Sequence, residues 1–224
     1  MKESDLFFPI KSWLIKDIGC NEVYGEVGLC DILGLSGPMD IIVETKTRLS
    51  FKLLDQVRDR LNYAPYVYMA VPIPKGRKWP ARVIREFMDQ NKIGLIYVDM
   101  HADHHPIYVF QKAKFNHHFK KMRKVYSIRH SIRNYSSKQV GGVKGGESIT
   151  DYSETIRIIK GFMRREGWVT VDQILEVCET HYASPKPSVM ATLQATWNQS
   201  WCETKKEGRL RYFRMKRNAK EEFI

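Results

Sequence analysis

Cysteine is scarce in this sequence: Cys20, Cys30, Cys178 and Cys202 are all there is, with no C-x-x-C pair among them. That spacing excludes a zinc ribbon and suggests no disulfide framework. Long apolar runs are missing too, and no stretch approaches the roughly 20 residues that span a bilayer. Near the amino terminus Glu3, Asp5, Lys11, Lys16 and Asp17 interrupt any signal-peptide pattern. No G-x-x-x-x-G-K motif followed by Ser or Thr is present, which argues against an NTP-driven motor. The glycines at 141–146 follow no strand and are not a dinucleotide loop. Acid is in deficit: 25 Asp and Glu stand against 37 Lys and Arg in 224 residues, a formal charge of +12. Hydrophobic residues at 43% and aromatic residues at 12% argue against a disordered chain. The expectation is a soluble protein of a reducing compartment, cytoplasmic or nucleoid-associated, with no membrane role and an affinity for a polyanion.

The positive charge is clustered. Between 112 and 133 lie eight Lys and Arg and no acid, interleaved with Phe115, Phe119, Tyr126 and three histidines. Between 205 and 220 lie eight more, with Glu207 as the one acid. Solvated surface is the plain reading of a single such run. Two runs with aromatic neighbours point to nucleic-acid backbone, where neutralised phosphates release counterions. The expected contacts are Lys112, Lys114, Lys120, Lys121, Arg123, Lys124, Lys186, Lys205, Lys206, Arg209, Arg211 and Arg214.

Residues 127–150 hold Gly141, Gly142, Gly145 and Gly146 among serines and little apolar content, the composition of a flexible basic Gly/Ser linker. They divide an expected domain at 1–126 from another at 151–224. In the first, Leu6, Ile10, Trp13 and Leu14 have helical spacing, followed by strand-like segments at 22–27, 29–35 and 40–46. Ser50 caps a helix with Leu53, Leu54, Val57 and Leu61 on one face; a strand at 66–71, a helix at 80–91 and strands at 94–99 and 107–110 follow. The order αβββαβαββ predicts a mixed α/β domain around a mixed central sheet. After the linker come three short helices and a basic hairpin turning through 205–208. That layout resembles a winged helix-turn-helix over residues 151–217, which implies DNA binding through the third helix and the wing.

Chemistry is carried by Asp31, Glu44 and Lys46. Glu44 and Lys46 project from one face at the end of a strand, and Asp31 lies on the preceding strand, where its carboxylate meets that of Glu44. Two facing carboxylates repel unless a cation sits between them, and hard oxygen ligands suit Mg²⁺ or Mn²⁺. A neighbouring lysine orients water or stabilises charge on a phosphate. Taken alone, Glu-x-Lys is an ordinary way to finish a strand. Asp40 shares Glu44's face but stands about 13 Å away along the strand and is left out. The cluster Asp99, His101, Asp103, His104 and His105 reads as a polar loop, because no further ligand pair has matching spacing.

In the order helix, three-stranded meander, helix, strand, with Asp on the second strand and Glu-x-Lys on the third, residues 3–100 resemble the PD-(D/E)XK nuclease superfamily. The restriction-endonuclease-like and Holliday-junction-resolvase-like branches look closest. The chain also resembles a family of PD-(D/E)XK phosphodiesterases of unknown function through Glu3 to Lys11, Gly25 to Gly28, Cys30-Asp31 and Val43-Glu44-Thr45-Lys46-Thr47; Cys30 stands where the superfamily has proline. The resemblance implies that Asp31, Glu44 and the Thr45 carbonyl hold Mg²⁺ or Mn²⁺ and that Lys46 acts on water or phosphate. It further implies that Glu3 approaches a second metal, that Gln56, on the exposed side of its helix, supports the site, and that two copies pair. Glu26 is the next candidate, and its plainer reading is a strand acid facing solvent. The expected activity is that of a metal-dependent DNA endonuclease in restriction or defence, recombination or mobile-element processing. The rivals are a non-catalytic DNA-binding regulator on a nuclease-like scaffold and a structure-specific junction or RNA nuclease. Whether a partner subunit gates the activity is not written in the sequence.

Overall fold

The computed structural model describes residues 1–74, 76, 79–102, 106–117, 119, 127–143 and 149–216. Contacts divide the chain into two units, Met1–Ser148 and Ile149–Ile224. Lys120, Lys121, Arg123 and Lys124 lie outside the described residues, as do Asp103, His104 and His105.

The first unit is a mixed α/β fold. After a 3₁₀ turn at Glu3–Leu6 come α1 (Phe7–Lys16), β1 (Glu22–Val27), β2 (Cys30–Ser36), β3 (Met39–Thr45), α2 (Phe51–Arg60), β4 (Tyr66–Pro72), α3 (Arg82–Asn91), β5 (Gly94–Val98) and β6 (Ile107–Gln111). The six strands form one sheet in sequence order. β1–β2–β3 is an antiparallel meander, β3–β4–β5 is parallel through α2 and α3, and β6 returns antiparallel. Helices cover both faces. Leu53 and Val57 of α2 and Met88 of α3 pack with Leu33, Ile42, Met69 and Leu95 on one side. Leu6, Ile10 and Leu14 pack with Ile32, Val43, Tyr68 and Ile96 on the other. Burial on both faces explains why Ile41-Ile42-Val43 of β3 and Leu95-Ile96-Tyr97-Val98 of β5 show no polar alternation. Ser50 caps α2 by accepting from the Leu53 amide at 3.3 Å.

The glycine-rich segment differs from its expected role. Residues 127–143 belong to the first unit, with Ile128 buried in the α2-side core and Arg129 Nε donating to buried Asp40 at 2.6 Å. Asp40 therefore has a structural partner drawn from the basic run. Gly141 lies so close to the meander that a Cβ there would stand 2.2 Å from the Asp31 carbonyl oxygen. These glycines permit close approach of two backbones, and composition does not distinguish that use from flexibility.

The second unit contains α4 (Asp151–Glu166), β7 (Val169–Thr170), α5 (Val171–Val177), α6 (Pro185–Gln194), β8 (Cys202–Glu207) and β9 (Leu210–Met215). Thr150 and Thr170 open α4 and α5 with capping boxes, and Pro185 sits at the start of α6, where its missing N–H costs nothing. Ile159, Phe162, Ile174, Val189, Leu193 and Phe213 form its core. The sheet order is β7–β9–β8, with Gly208 at positive φ in the hairpin turn.

Candidate metal and active site

β2 and β3 bring the predicted acids together. Ile32 pairs with Val43, so the next residue outward on each strand, Asp31 and Glu44, stand opposite each other where the ladder ends. The Thr45 amide has no strand partner there, and Asp31 replaces one: its Oδ2 accepts from Thr45 N at 2.7 Å and from Thr45 Oγ1 at 2.9 Å. Asp31 thus fixes the end of β3 as well as supplying charge.

Glu44 is fully buried. Its Oε1 accepts from Arg60 Nε at 2.7 Å, while its Oε2 is buried without a hydrogen-bond partner. Burial, then the negative charge of Asp31, push its carboxyl up to about 7, against the pull of Arg60 and Lys46. An orphaned carboxylate oxygen beside a second carboxylate is a feature that a hard cation relieves. Among the described residues no set of three His, Cys, Asp or Glu side chains forms a metal cluster.

Lys46 Nζ donates to Glu3 Oε2 at 2.8 Å and to the Thr45 carbonyl at 2.9 Å. Glu3 and the Thr45 carbonyl are thereby both engaged by the lysine. Gln56 is half-buried, not on an exposed face, and its Oε1 is buried without a hydrogen-bond partner. It lies one helical turn before Arg60 and so shares that side of α2. The apolar stripe of Leu53 and Val57 continues straight into Arg60, which is why that side of the helix is inside.

Arg60 and the glycine segment are the participants that motif matching missed, while Glu26, the next candidate in the sequence, is engaged by that segment. Arg60 extends the i, i+4, i+7 spacing of Leu53 and Val57, and a cation on a core stripe requires a buried partner. That was the available signal. Glu26 lies in β1 between the pairs Gly25–Ile32 and Val27–Cys30, hence opposite Asp31, with its own φ at +52°. Its Oε1 accepts from the Gly142 amide at 2.7 Å and the Val143 amide at 3.2 Å, so it does not simply face solvent. Burial first, then Asp31, raise its pKa, while those two amides and Lys46 lower it. No local pattern announces a contact 116 residues away in sequence.

The predicted nucleic-acid contacts are unevenly placed. Lys112 and Lys114 are exposed just beyond β6. In the second unit Lys206 and Arg209 are exposed on the hairpin, and Arg211 is half-buried. Lys205 pairs with Glu207, Arg214 with Glu203 and Lys186 with Asp172, each at 2.7 Å. Lys205 and Arg214 also stack on Trp168, 4.7 and 4.6 Å from the ring centre. Asp99 caps its own loop, accepting from the His101 amide at 3.0 Å.

Compared with known proteins, the chain matches no family model, no curated protein and no solved structure.

Proposed function

We propose that the chain is a metal-dependent DNA endonuclease of PD-(D/E)XK type, with the second unit acting as a winged-helix DNA-binding module. One observation carries the reading: Asp31 and Glu44 lie just past the last β2–β3 pair, near enough for the Asp31 charge to raise the Glu44 pKa, Glu44 Oε2 lacks a partner, and Lys46 follows two residues on. A structural sheet has no use for two apposed acids, one of them fully buried. Asp31 and Glu44 would hold Mg²⁺ or Mn²⁺, which supplies Lewis-acid activation of water for phosphodiester hydrolysis. Lys46, steadied by Glu3 and the Thr45 carbonyl, would present an ammonium to the scissile phosphate. Three helices followed by the β8–β9 hairpin, with Lys206 and Arg209 exposed on it, support the DNA-binding assignment. The homodimer is carried by the resemblance alone.

A second reading is favoured by a different observation. Arg60 already neutralises half of Glu44, as it would in a nuclease-like scaffold that binds DNA without cutting it. Supercoiled plasmid incubated with and without Mg²⁺ or Mn²⁺, beside Lys46→Ala, separates the two. Metal-dependent nicking that disappears in the variant supports the nuclease. Retardation of linear duplex without cleavage of duplex, four-way junction or RNA supports the scaffold.

A further inference from the structure

Glu44 is wholly buried, so nothing reaches its carboxylate until the groups that close over it move. One of those groups is the Arg60 guanidinium, bonded to it and itself 9% exposed. Three nitrogens of that side chain are engaged at once: Nε donates to Glu44 Oε1, Nη2 to the Leu29 carbonyl and Nη1 to Asp59 Oδ2. The hold on Glu44 is the incomplete one. An arginine grips a carboxylate best when two parallel N–H groups meet both oxygens. Here a single N–H meets Oε1, and Oε2 is left buried with no partner. The other two contacts lead outward. Leu29 is exposed in the turn between β1 and β2, and the Asp59 side chain, 2.7 Å from Nη1, is 49% exposed.

We infer that Arg60 is a displaceable latch on this site: a divalent cation gains Glu44 only by expelling the guanidinium, which moves outward onto Asp59. The inference rests on the metal-site reading of Asp31 and Glu44 and concerns the regulation of that site. Charge makes the two occupants exclusive. A guanidinium and a divalent cation on one buried carboxylate repel each other in a medium poorer than water. The exchange favours the cation on two counts. It brings two charges to a pair of acids where the guanidinium brings one, and it can engage the oxygen that Arg60 leaves orphaned. The expelled arginine keeps a partner, because Asp59 is already in contact with it, and its other donors regain water. Lys46 does not take this part, since its ammonium is committed to Glu3 and to the Thr45 carbonyl. The site is therefore shut while divalent cation is scarce and opens as its concentration rises, through one side chain.

The test uses the full chain without nucleic acid, its arginine Nε atoms labelled with ¹⁵N, and titrates it with Mg²⁺. Bonded and buried, the Arg60 Nε–H exchanges slowly with water, and loss of its resonance in Arg60→Lys assigns it. The expected result is a saturable loss of that protection. Mn²⁺ binding, read from the electron spin resonance of the free ion, should be about tenfold tighter in Arg60→Gln than in the wild type. Asp59→Asn keeps the Glu44 contact and removes the outer partner, so it should bind Mn²⁺ about threefold more weakly; it reads the latch even where Arg60→Gln does not fold. Cation binding that is lost in Asp31→Asn yet leaves the Arg60 Nε–H protected overturns the latch and spares the metal site. Equal or weaker affinity in Arg60→Gln, or undiminished affinity in Asp59→Asn, does the same. Binding by none of these proteins, or equal binding in Asp31→Asn, sinks the metal reading and the latch together.

Discussion

Arg60 Nε donates to Glu44 Oε1 at 2.7 Å, with the arginine side chain 9% exposed and the glutamate wholly buried. The same guanidinium also donates to the Leu29 carbonyl and to Asp59, tying α2 to the turn between β1 and β2 and to the end of β3. Removing one partner of such a pair strands the other. Arg60→Met should destabilise the first unit by about 3 kcal/mol and raise the Glu44 pKa further. Urea unfolding followed by tryptophan fluorescence reads the first effect; a loss under about 1 kcal/mol would mean the pair is solvated.

Stability should depend on pH through Glu44. Its folded pKa, about 7, lies above the usual 4.5, so the folded state holds a proton that the unfolded chain has released between those values. The Glu44 contribution is then fully present below about pH 4.5 and lost as pH rises through 7. Thermal midpoints of wild type and Glu44→Gln from pH 5 to 8 should therefore converge or cross, the wild type losing ground as pH rises. Parallel curves would show that Glu44 is ionised throughout.

Divalent cations should stabilise the wild type and leave Asp31→Asn and Glu44→Gln unchanged. At one hundred times the dissociation constant the linkage amounts to about 2.7 kcal/mol. Thermal shift with Mg²⁺ and Mn²⁺ checks it without any substrate, and an equal response in all three proteins removes the metal from this site.

Gly141 is a further point of strain sensitivity. In Gly141→Ala the new methyl would collide with the Asp31 carbonyl oxygen and Ile32, so the segment must lift off β2. A loss of about 1–3 kcal/mol is expected. Limited proteolysis should also show new cleavage within 139–143, and unchanged protection would contradict the close packing.

On the hairpin, Lys206 and Arg209 are exposed, whereas Lys205 and Arg214 are held by acids and by Trp168. Changing Lys206 and Arg209 to alanine should each lower the slope of log affinity against log salt by about 0.9 if each contacts a duplex phosphate. Lys205→Ala should act chiefly on the stability of the hairpin. Fluorescence anisotropy at several salt concentrations separates these effects.

The sequence alone determined the element order of the first unit, because apolar spacing, Ser50 and the Gly and Pro turns are local signals that local hydrogen bonds obey. It also determined that Asp31 and Glu44 would lie on neighbouring strands, since a short meander leaves one simple register for strands with buried faces. Tertiary structure decided everything that joins distant segments. It paired Glu3 with Lys46, Arg60 with Glu44 and Arg129 with Asp40, and laid Gly141 and Gly142 over the meander to engage Glu26. Composition cannot tell a glycine that bends from one that lets two backbones touch, nor a solvated charge from one that burial forces into a pair. Both distinctions depend on which surfaces the fold removes from water.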